Sequence, residues 1–389
     1  MNNNIYNSSC NNENILPTIL PPANRIIAIG DVHGDIKLVI DCLLISKVIV
    51  KTSNNQNDKK KIISVKINSK VNYYKWCGKD TIVVQIGDQN DSCRPNNSDT
   101  SSCNGDNDYA DDINILHFFT KLNKLAKLDN GGVYSLIGNH EIMNVEGNFS
   151  YTSKANIDSF KTYIDPYTKQ KFKTPFNAIT HAYSNGNEYA NLLACTRHSV
   201  LIIGDFLFIH AGIDKEFLNN FRGREKLPIL NDIVKKWLLN TLDNTKIDED
   251  TLNKILSDST YSPFWNRVLG NLPPNLPYSD DKCQEHLSPI IDSYKIKGLI
   301  IGHTPQMKDG INSTCGNKVF RIDFGGSKAF DNKTSSEENL KREPQVLEIL
   351  KLDNDMYKYT VLFDNKEEYN LYVPDDNTAF GRIESVLPN

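Results

Sequence analysis

Residues Arg25-Ile26-Ile27-Ala28-Ile29-Gly30-Asp31-Val32-His33-Gly34-Asp35 decide how the chain is read. A β-branched run predicts a short buried strand from Arg25 to Ile29, and the glycines that follow open a turn carrying Asp31 and His33. Asp35 then precedes Ile36, Val39, Ile40, Leu43 and Leu44, a helical spacing that predicts a helix through Lys47 capped by the Asp35 carboxylate. Polar side chains therefore sit where the C-terminal end of a strand meets the start of a helix, a usual place for anions.

The same grammar recurs four times. The run Thr81 to Ile86 leads into Gly87-Asp88, and Val133 to Ile137 leads into Gly138-Asn139-His140-Glu141. Phe206 to Ile209 leads into His210-Ala211-Gly212, and Leu299 to Ile301 into Gly302-His303-Thr304. Asp, Asn and neutral His are oxygen and imidazole donors that suit Mn, Fe, Zn or Mg rather than thiolate-seeking ions. Two such ions held close together clamp the attacking and leaving oxygens of an in-line displacement, so the pattern implies phosphoester hydrolysis.

Outward from these motifs, 389 residues with 39% hydrophobic content can bury a large core. The motifs run from Asp31 to His303, so one catalytic domain takes residues 24–365. Residues 1–23 are Asn-rich and end in Leu20-Pro21-Pro22, which predicts a disordered or extended leader, and 366–389 read as a tail. Insertions are expected near 51–75, where Ile62 to Ile67 suits a hairpin, near 96–108, a polar loop, and near 147–195, a lid-like or helical segment. Tyr109 to Leu128 and Ile229 to Leu242 have helical spacing, Ser199 to Ile203 and Phe206 to Ile209 form a hairpin, and Val319 to Phe324, Gln345 to Leu350 and Tyr357 to Phe363 read as strands. Early βα units followed by adjacent late strands predict an α/β sandwich of sheets with helices outside.

A net charge of −4 supplies no basic field for nucleic acid or an anionic membrane, and Lys59-Lys60-Lys61 reads as a solvated face. The start of the chain lacks an apolar signal segment, and no apolar stretch approaches a membrane span; a soluble, intracellular, most simply cytoplasmic protein is expected. Eight cysteines without a CxxC pair, in a chain too large to need staples, are expected to be reduced thiols. Cys93 stands apart because it falls in a candidate site loop.

In order, Gly-Asp-x-His-Gly, Gly-Asp-x-x-Asp, Gly-Asn-His-Glu, His-Ala-Gly and Gly-His-Thr resemble the calcineurin-like metallophosphoesterases. Within them the chain is similar to the phosphoprotein phosphatase branch and its bacterial-like, Shewanella-like relatives, from about Arg25 to Phe363. The resemblance implies a four-layer αββα sandwich of two mixed sheets flanked by helices. It gives Asp31 and His33 to a first divalent ion, Asp88 to a bridge, and Asn139, His210 and His303 to a second ion. The ions would be Mn, Fe or Zn. His140 would protonate the departing alkoxide with Asp91 orienting its ring, Asn139 would also touch phosphate, and Glu141 would accept hydrogen bonds beside the ligands.

One position departs from the family. Its loop usually reads Gly-Asp-x-x-Asp-Arg-Gly, with the Arg on phosphate, whereas Ser92 stands there and Arg94 follows two residues on. Arg94 is the candidate replacement, since a guanidinium fork grips phosphate bidentately. Arg267, in Ser262-Pro263-Phe264-Trp265-Asn266-Arg267, resembles the Trp-x-Arg element of the Shewanella-like branch and is a second candidate; Arg321 to Ser327 resembles the supporting turn after its last His.

Asp31 and Asp88 could each be mere turn formers, but both follow buried strands beside further ligand types. His117, His181, His198 and His286 have no motif around them and read as structural. The implied activity is hydrolysis of phosphomonoesters, with phosphoserine or phosphothreonine protein as leading substrate. A nucleotide or diadenosine polyphosphate hydrolase, or a binding module weakened by Ser92, are the alternatives.

Overall fold

The computed structural model describes residues 16–53, 61–67, 69–95, 103, 110–243, 245, 247–333, 342–363 and 368–371. Residues 1–15, Lys59 and Lys60, most of the 96–108 loop and the end of the tail lie outside them. Two large mixed sheets are flanked by helices, as the sequence predicts. The first orders its strands Glu368–Leu371, Tyr357–Phe363, Gln345–Lys351, Arg25–Ile29, Ile82–Gln85, Gly132–Leu136 and Arg197–His198. The second runs Ile19–Leu20, Val200–Ile203, Phe206–Ile209, Gly298–Ile301, Val319–Arg321 and Asn312–Thr314.

Alternation along the second sheet explains why its strands are apolar throughout. Leu201, Ile203, Phe206, Phe208, Ile300 and Phe320 join Ile27, Val83, Val346 and Leu347 of the first sheet in one hydrophobic core. The intervening Val200, Ile202, Leu207, Ile209, Leu299 and Ile301 pack outward with helical residues such as Leu230, Val234 and Ile290. Strands covered on both faces need no polar side.

Helix Ile36–Ile45 begins at Asp35, whose carboxylate accepts from the Leu38 N–H at 3.0 Å. Ile115, Phe119 and Leu122 of helix Asp112–Ala126 join the same inter-element core. The described parts of the 51–75 insertion form a three-stranded antiparallel sheet, with Lys70–Trp76 between Ile49–Thr52 and Ile62–Ile67. Residues 147–195 carry three short α-helices, Lys154–Asp158, Pro175–Tyr183 and Glu188–Thr196, with a turn closed by the Ile164–Lys171 bridge between the first two. Ile19 and Leu20, within the stretch read as a leader, pair in parallel with Ile202 and Ile203. Glu368–Leu371 pairs antiparallel with Tyr359–Leu362, so part of the stretch read as a tail extends the first sheet.

The expectation of reduced thiols is corrected. Cys93 is bonded to Cys103 and Cys283 to Cys315, and Cys195 is also disulfide-bonded. Among the described residues Cys42 and Cys77 are free. The Cys283–Cys315 bridge joins the short helix Asp281–His286 to the turn after strand Asn312–Thr314, a proximity created by tertiary packing that spacing along the chain does not encode. Among the described residues, no helix is long and apolar enough to cross a membrane.

Candidate metal centre

Parallel pairing gathers the site. Arg25–Ile29, Ile82–Gln85 and Gly132–Leu136 are successive parallel neighbours, so the loops carrying Asp31, His33, Asp88 and Asn139 all leave one sheet edge. Phe206–Ile209 and Gly298–Ile301 are parallel in the other sheet and deliver His210 and His303. One hydrogen bond joins the two edges, the His303 N–H donating to the Asp31 carboxylate at 3.0 Å. Within the second sheet the Gly302 N–H donates to the His210 carbonyl at 2.7 Å, which holds the two histidine loops together.

Asp88 is the centre of the arrangement. Its Oδ2 lies 3.6 Å from His33 Nε2 and 3.8 Å from His140 Nε2, while its Oδ1 lies 3.4 Å from His210 Nε2. Donor atoms of His33, Asp88 and His140 fall within 4.8 Å of one another, as do those of Asp88, His210 and His303. Asn139 Oδ1 is 3.1 Å from His210 Nε2.

Each candidate imidazole ligand has one nitrogen against a backbone carbonyl. His33 Nδ1 is 3.2 Å from the Asn90 carbonyl, His210 Nδ1 is 3.0 Å from that of Ile86, and His303 Nε2 is 3.2 Å from that of Trp265. A carbonyl can only accept, so that nitrogen carries the proton and the other keeps a lone pair for a cation.

The electrostatics call for positive charge. Burial pushes Asp31 well above the usual carboxylate range, with Asp323 and Asp88 adding to the shift, and burial pushes Glu141 up beside Asp88. Burial likewise holds His33 and His303 well below the usual histidine range, as a neutral ligand requires. For His210 burial alone would lower the value, but the Asp88 carboxylate outweighs it; the field that favours a proton there favours a metal cation equally. Asp31 Oδ1 and Asp323 Oδ2 are buried without a hydrogen-bond partner among the described residues. Unpaired buried carboxylate oxygens beside histidine lone pairs fit a divalent metal.

The backbone is bent to make this site. His33, Asp88, Asp91 and His303 all have positive φ, at 38°, 52°, 72° and 63°, a conformation that side chains other than Gly adopt at a cost. Gly138 and Gly302 make room: a Cβ on Gly138 would lie 2.1 Å from Asp88 Oδ1, and one on Gly302 would lie 2.2 Å from Asp31 Oδ1.

His140 and Asp91 pair as the sequence predicts, with Nδ1 2.8 Å from Oδ2. Asp91 Oδ1 accepts from Thr152 at 2.5 Å and Asn144 at 3.3 Å, and the Asp91 N–H donates to Asp112. Glu141 accepts from the N–H groups of Asp88, Gln89, Asn90 and Gly138, locking two ligand loops together. Asn144, Thr152, Asp112 and Asp323 were not singled out from the sequence; only Asp323 had a signal, its place in the turn after a strand.

Over residues 24–307 the chain matches the model of the calcineurin-like phosphoesterases. The chain belongs to that family. It is 24% identical to Shewanella-like protein phosphatase 2 of Arabidopsis thaliana, over 96% of this chain and 87% of the relative. To Shewanella-like protein phosphatase 1 of Plasmodium berghei it is 29% identical, over 78% of this chain and 67% of the relative. It is also 37% identical to the uncharacterized protein R398 of Acanthamoeba polyphaga mimivirus, over 62% of this chain and 96% of that protein. The crystal structure named as a cold-active protein-tyrosine phosphatase of a psychrophilic Shewanella shares the fold, with a TM-score of 0.61 at 20% identity, over 92% of this chain and 83% of that one. The family is metal-dependent, in keeping with the donor set.

In this phosphoesterase Ser92 is fully buried and its hydroxyl accepts from Asn156 at 3.2 Å. A side chain that enclosed cannot reach a substrate. Arg94 stands where the chain re-emerges: Nη1 donates to the carbonyls of Asp91 at 3.1 Å and Cys93 at 2.8 Å. Asp88, Asp91 and Asp323 all act on it electrostatically. Arg267 is exposed, and its Nη1 donates to the His303 carbonyl at 2.7 Å. His181, His198 and His286, set aside on sequence, face Asp165, the Pro17 carbonyl and Asp214.

Proposed function

We propose that the chain hydrolyses phosphomonoesters at a two-ion centre, with phosphoserine or phosphothreonine protein as substrate. The observation that carries this reading is Asp88, whose two oxygens face different histidines, His33 on one side and His210 on the other. Asp31, His33 and Asp88 would hold one divalent ion, and Asp88, Asn139, His210 and His303 the other, as Mn, Fe or Zn. Bound ions of this kind supply a nucleophile at neutral pH and neutralise charge on the transferring phosphoryl group.

The chain's own side chains do the rest. His140, fixed by Asp91 at Nδ1, presents Nε2 toward the site and donates a proton from it to the leaving oxygen. Arg94 holds the phosphate oxygens, with Asn139 and Arg267 beside them. Glu141 and the glycines keep the loops in register. The names of the Arabidopsis and Plasmodium relatives support a phosphoprotein substrate.

The test is turnover with and without Mn²⁺ on p-nitrophenyl phosphate, phosphoserine, phosphothreonine and phosphotyrosine peptides, and a dinucleotide polyphosphate. Metal-dependent turnover, fastest on phosphoserine or phosphothreonine peptides, is expected. Absence of turnover on every substrate sinks the enzymatic reading, and preference for phosphotyrosine or the polyphosphate sinks the substrate assignment.

A further inference from the structure

The guanidinium of Arg94 lies between two aromatic rings, with its carbon 4.5 Å from the centroid of Phe330 and 5.7 Å from that of Tyr151. Each ring in turn meets a histidine of the centre edge-on. Phe330 lies 5.5 Å from His33, and Tyr151 lies 5.0 Å from His140. The rings come from remote segments, Tyr151 from the start of the helical insertion and Phe330 from beyond the last strand of the second sheet. Both are anchored. The Tyr151 carbonyl accepts from the Cys93 N–H at 3.0 Å; the Phe330 N–H donates to the Ser327 carbonyl, and the Ser327 hydroxyl donates to the His33 carbonyl at 3.2 Å.

We infer that Tyr151 and Phe330 are positioning residues, an aromatic clamp that holds Arg94 over the centre for phosphate capture; the inference rests on the phosphate-binding role proposed for Arg94. The chemistry favours rings over a carboxylate. An acidic partner would occupy the guanidinium N–H groups, whereas a ring binds the flat face and leaves the N–H edge free. Both hydrogen bonds of Arg94 come from Nη1, so Nε and Nη2 have no acceptor among the described residues. Those two groups form the side-on fork that matches two phosphate oxygens. The clamp thus restores, from position 94, the arginine that the family's loop carries at the place of Ser92.

The experiment measures the inhibition constant of inorganic phosphate on the Mn²⁺-loaded enzyme turning over p-nitrophenyl phosphate, with metal content by elemental analysis and a thermal melt for each variant. Tyr151→Leu and Phe330→Leu should each raise that constant about 5- to 30-fold and raise KM more than they lower kcat, with metal content unchanged. Tyr151→Phe keeps the ring and should return the constant to wild type. On an Arg94→Ala background, either ring removal should add nothing, the signature of residues acting through Arg94. If Arg94→Ala leaves phosphate inhibition unchanged, the phosphate role falls and the clamp with it. If Arg94→Ala raises the constant while the ring variants match wild type, or still add their full effect without Arg94, only the clamp is overturned. Should Phe330→Leu fail to fold, the half-buried Tyr151 pair decides alone, since Leu and Phe at that position separate ring from hydroxyl.

Discussion

His140 Nδ1 sits 2.8 Å from Asp91 Oδ2, and the other Asp91 oxygen accepts from Thr152 and Asn144. A carboxylate tied at both oxygens cannot swing, so the imidazole it orients keeps Nε2 toward Asp88, 3.8 Å from Oδ2. His140→Ala should retain metal and lose about 10²- to 10⁴-fold in kcat on alkyl phosphates. A leaving group as stable as p-nitrophenolate needs little protonation, so the loss on p-nitrophenyl phosphate should be smaller. Equal losses on both substrates would remove His140 from proton transfer.

Asp88 tests the centre itself. Asp88→Asn replaces one anionic oxygen with an amide nitrogen that cannot ligate, so elemental analysis should show loss of bound metal together with activity. A variant that binds two ions and turns over like wild type would show that Asp88 does not bridge.

The ligand loops were legible because each is local: an apolar strand, a glycine and its donor lie within about ten residues, and the parallel pairing of those strands does the rest. What escaped the sequence joins segments far apart. Asp112 reaches the Asp91 N–H from a separate helix, and Cys283 meets Cys315 only once the second sheet is built. Phe330 and Tyr151 carry no motif of their own, and only the fold brings their rings to 4.5 and 5.7 Å from the Arg94 guanidinium. The insertion at 147–195 left its form open because its helices are short, Pro175–Tyr183 among them, and a single turn or two of periodicity competes poorly with loop signals such as Pro166.

A stability prediction concerns His198, buried beside the Pro17 carbonyl and pushed down by that burial to about 4. Its unfolded value is near 6.5, so below that pH the unfolded chain takes a proton that the folded chain refuses. Stability should therefore fall as pH drops from about 6.5 to about 4, by on the order of 3 kcal/mol from this group alone. Urea unfolding of wild type and His198→Gln at pH 7 and pH 5 isolates it: the wild type should lose more on acidification. Parallel losses would mean that His198 does not titrate in this window.

Two arginines are candidates for holding substrate phosphate, and their surroundings predict which one does. Arg94 has the rings of Phe330 and Tyr151 at 4.5 and 5.7 Å and no acceptor at Nε or Nη2 among the described residues, whereas Arg267 is exposed and tied to the His303 carbonyl, so losing it disturbs the His303 loop as well as a charge. Arg94→Ala should weaken phosphate inhibition by about 2 to 3 kcal/mol with metal content intact. Arg94→Lys should recover only part of this, because a point charge cannot supply a planar fork. Arg267→Ala should instead lower metal affinity and activity together, as the His303 turn loosens. If Arg267→Ala abolishes phosphate inhibition with metal retained while Arg94→Ala leaves it unchanged, the exposed arginine is the clamp and position 94 has not taken over the role that Ser92 cannot fill.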